Sequence, residues 1–137
     1  MGIKGFDHWV MLSANLERTL DFYARLGFTI AWEDRPGRAR MATIRLNEAQ
    51  KINVHGPDSP ERPGYHGARH PTVGAADFCL EWEGAVGEVL NLLAKAGVTP
   101  EVGPATRTCA RGPSTSVYFR DPDKNLVEFT VYDQSTR

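Results

Sequence analysis

The sequence predicts an α+β chain made of two tandem βαβββ modules, and three observations carry that prediction. First, the chain repeats itself: Ile44, Leu46, Gln50, Lys51, Ile52, Asn53, Val54 and His55 meet Val117, Phe119, Asp123, Lys124, Asn125, Leu126, Val127 and Glu128, with Ile44, Leu46 and Val54 falling on the apolar Val117, Phe119 and Val127. Second, the run Leu20-Asp21-Phe22-Tyr23-Ala24-Arg25-Leu26-Gly27-Phe28 meets Leu90-Asn91-Leu92-Leu93-Ala94-Lys95-Ala96-Gly97-Val98. Third, the hydrophobic period switches between 2 and 3.6 in the same order in both halves. One domain spanning 1–137 is expected, built of modules at about 5–56 and 75–133 and joined by a loop over 56–74.

Residues 5–12 read as a strand, after which Ser13 or Asn15 can cap a helix whose apolar stripe is Leu16, Leu20, Tyr23 and Ala24. Gly27 stops it, as a left-handed residue after the last turn does. Strands follow at 28–33, 40–46 and Lys51–His55. In the second half, 76–82 is a strand and Val86, Val89, Leu90, Leu93 and Ala94 form a helical stripe ending at Gly97. Further strands are expected near 98–102, 114–119 and 125–132. The Pro- and Gly-rich stretch 56–74 is too long for a plain turn, and 103–113, which runs between two Gly-Pro pairs, reads as an irregular segment fit to be a lid.

At 137 residues with 41% apolar content, the chain can bury one good core divided between the modules. Sixteen basic and 17 acidic residues leave a net charge of −1 without any block of one sign, so neither a nucleic-acid groove nor an anionic membrane surface is indicated. No apolar run reaches membrane-spanning length, and Met1-Gly2-Ile3-Lys4-Gly5 lacks the apolar core of a secretory signal, which makes a cytoplasmic protein the expectation. Cys79 and Cys109 are too few and too oddly placed for a disulfide framework and are expected to be free thiols. A small-molecule substrate is what remains.

Strand alternation then decides which side chains share a face. His8 goes with Val10 and Leu12, Asn53 with His55, Asp77 with Cys79 and Glu81, and Glu128 with Leu126 and Thr130. Each of these strands keeps a second, wholly apolar face for the helices. The quartet His8, His55, Asp77 and Glu128 therefore occupies the first and fourth strands of both halves. Two neutral imidazoles with one or two carboxylates suit a divalent ion of iron, manganese, zinc, nickel or cobalt, and rigid strands hold such donors well. Asn53, which shares the His55 face, and the arginines Arg107 and Arg111, able to clamp a carboxylate or phosphate, are the candidate substrate-binding residues.

The opening Phe6-Asp7-His8-Trp9-Val10, the helix Thr19-Leu20-Asp21-Phe22-Tyr23-Ala24-Arg25-Leu26-Gly27-Phe28 and the ending Val117-Tyr118-Phe119-Arg120-Asp121-Pro122-Asp123-Lys124-Asn125-Leu126-Val127-Glu128 resemble the vicinal oxygen chelate superfamily of glyoxalase I, fosfomycin resistance proteins, extradiol dioxygenases and bleomycin resistance proteins. The segments Gln50-Lys51-Ile52-Asn53-Val54-His55 and Gly112-Pro113 are most similar to the glyoxalase-domain-containing protein 5 group. The resemblance implies a half-open eight-stranded cup with helices outside, a homodimer, and one divalent metal ion per site. It carries the first-strand ligand onto His8, the last-strand ligand onto Glu128, and a fourth-strand ligand onto His55. Asp77 stands where most metal-using members have a histidine, so it is read as a fourth ligand or a base.

The expected function is a metal-dependent lyase or isomerase acting on a small oxygenated metabolite. The ion would stabilise an enediolate or oxyanion, while Glu128 or Asp77 moves a proton. Two alternatives stand beside it. Two histidines and one glutamate also make the facial triad of an extradiol Fe(II) dioxygenase. A metal-free binding protein of the bleomycin-resistance type would use an apolar cleft instead.

Overall fold

The structure, a computed structural model, describes residues 1–38 and 40–133. It divides into two compact units, Met1–Ala75 and Ala76–Arg137. Each holds one four-stranded sheet and one long helix, which is the βαβββ order expected from the repeat.

In the first module β1 (His8–Leu12) leads into α1 (Leu16–Arg25), followed by β2 (Thr29–Glu33), β3 (Met41–Arg45) and β4 (Lys51–His55). The sheet runs β1-β4-β3-β2, with β1 parallel to β4 and the other pairs antiparallel. Of the two capping candidates, Asn15 is the cap: its Oδ1 accepts from the Arg18 N–H at 3.0 Å. Ser13 supports it from behind, since its Oγ accepts from the Asn15 N–H and meets the buried Thr19 hydroxyl at 2.7 Å. The helix ends at Leu26, and Gly27, with φ near 91°, takes the left-handed turn that a side chain would resist. Leu20 and Tyr23 on α1 and Leu26 at its C-cap are buried, as are Ile44, Ile52 and Val54 on the sheet. Phe22 and Phe28 meet the Tyr23 ring edge-on at 5.2 and 5.7 Å.

The second module repeats the order with β5 (Asp77–Glu81), α2 (Val86–Lys95), β6 (Val102–Cys109), β7 (Gly112–Arg120) and β8 (Leu126–Tyr132). Its sheet runs β5-β8-β7-β6, again with the first pair parallel. Val89 and Leu93 of α2 are buried, as are Val117, Phe119, Val127 and Phe129 of the sheet. Trp82 stacks on Phe129 at 6.2 Å, and its indole N–H donates to Glu88 on α2.

One expectation is overturned here. Residues 103–113 are not a lid: they form most of the β6–β7 hairpin, whose strands are separated only by Ala110 and Arg111. β6 lies at the sheet edge, where a proline costs no ladder donor, and the register shifts between Val102 and Ala105 around Pro104. Gly103 is required at that shift: its φ is near 109° and a Cβ there would run into the Ser116 carbonyl oxygen. The strand expected at 98–102 accordingly begins at Val102. The stretch 56–74 is largely exposed and contains one short turn of 3₁₀-helix at Ser59–Glu61, steadied by Arg62 on Asp58. No helix among the described residues is long and apolar enough to cross a membrane.

The turn before β8 is built by two side chains. Asp121 Oδ1 accepts from the N–H groups of Asp123 and Asn125, and its Oδ2 accepts from the Asn125 amide. Asn125 Oδ1 in turn accepts from the Ala76 N–H, one residue before β5. Lys124 takes the left-handed conformation this turn needs, with φ near 72°. Asp121 and Asn125 are buried and fix where β8 starts against β5, and thereby which residue faces Glu128.

Candidate functional site

On the mixed face of the first module, the parallel ladder sets His8 opposite Lys51, Val10 opposite Asn53 and Leu12 opposite His55. His8 and His55 thus sit at opposite ends of the β1–β4 pair, four ladder steps or roughly 13 Å apart. His8 is exposed, and its Nδ1 lies 2.7 Å from Asp7 Oδ1, a bond that holds the Asp7 carboxyl below its ordinary range. A donor at Nδ1 leaves Nε2 as the acceptor, the arrangement in which a carboxylate orients a metal-binding imidazole. Asn53 Oδ1 and Thr43 Oγ1 face each other across β3 and β4, both buried and without a protein hydrogen-bond partner.

His55 is half-buried, and that burial, with the Arg35 guanidinium nearby, holds its pKa below 6.5. A histidine whose folded pKa is depressed opposes folding once it must take a proton, so its contribution is whole above the unfolded pKa and is lost as pH falls below it. The expected result is a stability that declines as pH drops below about 6.5, with a shallower decline in His55→Gln. Denaturant titrations across that window check it, and identical slopes would remove His55 as a cause.

In the second module Cys79 faces Glu128 across β5 and β8, and Tyr118 faces Glu128 across β7 and β8. Cys109, near the hairpin tip, brings its Sγ to 4.0 Å from Glu128 Oε2. The two sulfurs and a Glu128 oxygen all lie within 4.8 Å of one another. Glu128 is half-buried, and among the described residues no basic side chain forms an ion pair with it. A hydroxyl chain backs the cluster: Ser116 donates to Thr130, Thr130 to Ser114, and Ser114 to the Cys109 sulfur at 3.0 Å.

Cys79 is exposed as a residue, yet its sulfur points into this cluster. Partial desolvation, with the Glu128 carboxylate next in weight, pushes its thiol up to about 12. The thiolate fraction is then small. In chelator-treated protein at pH 8, alkylation of Cys79 is expected to be roughly fiftyfold slower than in urea-unfolded chain, once the greater intrinsic nucleophilicity of a high-pKa thiolate is allowed for. Peptide mapping of iodoacetamide adducts measures it; equal rates would contradict the cluster.

The register also revises the repeat. Val10 faces Asn53 in the first module as Cys79 faces Glu128 in the second, two residues beyond His8 and Asp77 respectively. The structural counterpart of Glu128 is therefore Asn53, while His55 corresponds to Thr130. Asp77 is exposed at the first position of β5, opposite Leu126 and on the face of Cys79 and Glu128. Arg111 closes its fork on Glu81, with two bonds of 2.8 Å, and lies over the Tyr132 ring at 4.1 Å. Arg107 donates to the Tyr118 hydroxyl at 2.9 Å and to the Thr106 carbonyl. Arg111 is thus an internal tie, whereas Arg107 borders the Glu128 cluster through Tyr118. Cys109 and Tyr118 were not picked out by sequence reasoning; recognising β6 and β7 as paired strands would have placed both on this face.

A family model described as Glyoxalase/Bleomycin resistance protein/Dioxygenase superfamily matches residues 5–129. The chain is 32% identical over 135 residues to Glyoxalase domain-containing protein RDO1 of Mycosarcoma maydis, covering 98% of this chain and 72% of that one. It is 34% identical over 133 residues to Virulence protein STM3117 of Salmonella typhimurium, covering 96% of this chain and 87% of that one. The crystal structure of STM3117 superposes with a TM-score of 0.85, covering 97% of this chain and all of that one at 33% identity. An integron cassette protein from the mobile metagenome of V. cholerae superposes with a TM-score of 0.84 at 32% identity, over 97% and 98% of the two chains.

Proposed function

Since this chain belongs to the Glyoxalase/Bleomycin resistance protein/Dioxygenase superfamily, we propose that it is a metal-dependent enzyme acting on a small oxygenated metabolite by lyase or isomerase chemistry. The observation that carries this reading is Glu128: a half-buried carboxylate, unpaired by any described cation, aimed from the middle of the second sheet into a ring of polar groups. Such a group is costly to desolvate unless a cation or a proton joins it.

The donor types present are those a divalent ion takes. His8 offers an Nε2 oriented through Asp7, and Glu128 offers a carboxylate; these are the two ligands the reading rests on first. Asn53, the register counterpart of Glu128, brings a buried oxygen that lacks a protein partner. A divalent ion held by such donors would supply Lewis acidity toward a substrate oxygen. His55, placed beyond Asn53 and held neutral by its surroundings, accepts a hydrogen bond or a proton from substrate. Asp77 is an exposed carboxylate two residues before Cys79, suited to take up a proton from the reacting carbon or oxygen. Asn53 and Thr43 together orient a polar substrate group, and Arg107 contributes positive charge beside Tyr118. A relationship to the glyoxalase-domain-containing protein 5 group, a homodimeric state and a cytoplasmic location complete the proposal.

Purified protein should carry about one divalent ion per chain. After stripping and reloading with Mn(II), which favours nitrogen and oxygen donors over sulfur, His8→Ala and Glu128→Ala should each lose it while keeping the far-ultraviolet signature of the fold. Full metal content in both variants would overturn the assignment. A chain that binds no ion but tightly binds small apolar ligands would instead be a binding protein.

A further inference from the structure

We propose that the second module holds a thiophilic cation of the Zn(II) class through Cys79 Sγ, Cys109 Sγ and a Glu128 carboxylate oxygen, with a fourth position open. It shares Glu128 with the reading above but has no need of His8, so the two can fail separately.

The geometry is close to that of a bound ion. A tetrahedral zinc with Zn–S near 2.3 Å and Zn–O near 2.1 Å spaces its donors by roughly 3.6–3.8 Å. The three donor atoms already lie within 4.8 Å of one another, with Cys109 Sγ and Glu128 Oε2 at 4.0 Å. Rotamer adjustments of up to about 1 Å bring them into range. Two of the three come from adjacent strands in register, since Cys79 and Glu128 face each other across the β5–β8 ladder. The third arrives from the end of β6, a strand whose last pair is Cys109 with Gly112.

The surroundings are those of a ligand rather than of a packed thiol. The Ser114 hydroxyl donates to the Cys109 sulfur at 3.0 Å, and Thr130 Oγ1 stands 3.6 Å from the same atom. Hydrogen bonds of this kind orient a ligating sulfur and stabilise its anion. Ser114 and Thr130 are themselves buried and held in the chain that begins at Ser116. Two sulfurs and one carboxylate favour zinc, cadmium or cobalt over magnesium or calcium, and three protein donors leave room for water or a substrate atom.

The test is titration of reduced, chelator-stripped protein with Co(II), followed by ultraviolet and visible absorption. The expected result is one equivalent of Co(II) with a thiolate-to-cobalt charge-transfer band, displaced by Zn(II). His8→Ala should keep the band, whereas Cys79→Ser and Cys109→Ser should each weaken Zn(II) binding by about a hundredfold or more, beyond what an outer hydrogen-bond partner contributes. X-ray absorption at the zinc edge of the unmutated protein, counting sulfur neighbours near 2.3 Å, keeps the test decisive if a cysteine variant fails to fold. Stoichiometric Co(II) without a sulfur band, or a band unchanged in both cysteine variants, would overturn this inference and leave the His8 and Glu128 reading standing. No bound Co(II) or Zn(II) at all would overturn this inference, and binding of no divalent ion of any kind would end both.

Discussion

Replacing Asp121 with alanine is expected to lower stability by about 3–5 kcal/mol, because each buried donor deprived of its acceptor costs about 1–3 kcal/mol and this one carboxylate accepts from three. The effect reaches beyond the turn. Asn125 loses the bond that aims its own oxygen at the Ala76 N–H, and with it the tie that starts β5 against β8. Urea denaturation followed by far-ultraviolet circular dichroism measures the loss. Asp121→Asn, which keeps one acceptor oxygen, should recover part of it. A loss below about 1 kcal/mol in the alanine variant would mean that the turn has other means of satisfying its donors.

The second large effect concerns the ion. A ligand that binds only the folded chain stabilises it by about 2.7 kcal/mol at a hundred times its Kd. Saturating divalent metal should therefore raise the unfolding midpoint of the stripped protein by roughly 10–20 °C, since each kcal/mol is worth about 4–8 °C for modules of this size. Glu128→Gln preserves the shape and hydrogen-bonding reach of the side chain but not its charge, and should erase that rise. Because the amide keeps the side chain's volume and an acceptor oxygen, the same variant should unfold close to the parent when metal is absent. A midpoint that responds to metal equally in both proteins would place the ion elsewhere.

Much of the fold was legible because its apolar positions keep strict periods. Leu16, Leu20 and Tyr23 mark one face of α1, and Phe78 and Leu80 alternate with Asp77, Cys79 and Glu81 along β5, whose pattern of exposure follows the sequence directly. The β6–β7 hairpin was hidden for a physical reason. Gly103-Pro104 and Gly112-Pro113 are breaker pairs inside a sheet; the first is tolerated at a register shift on the edge strand β6, the second at the start of β7, one residue before its pairing with β8 begins. Local composition therefore pointed away from a strand that long-range pairing forms.

The candidate site was legible in its faces but not in its registers. Alternation placed Glu128 with Thr130 and His55 with Asn53, yet which residue of the first module corresponds to Glu128 depends on the ladder, and the ladder selects Asn53. A slip of two residues keeps every side chain on its face, so no apolar pattern can detect it. The Cys109 sulfur is beyond sequence reasoning for a related reason. It reaches Glu128 only because Cys109 and Ser114 are brought together across the hairpin, and Ser114 and Thr130 across neighbouring strands.

The most direct test is the metal content of chelator-stripped protein after equilibration, without oxygen, against Fe(II), Mn(II), Co(II), Ni(II) and Zn(II) in turn, followed by desalting and elemental analysis. The account predicts about one ion per chain for at least one of these metals, and little or none in Glu128→Gln treated identically. Parent protein that retains none of the five, or a Glu128→Gln variant that retains as much as the parent, would contradict it.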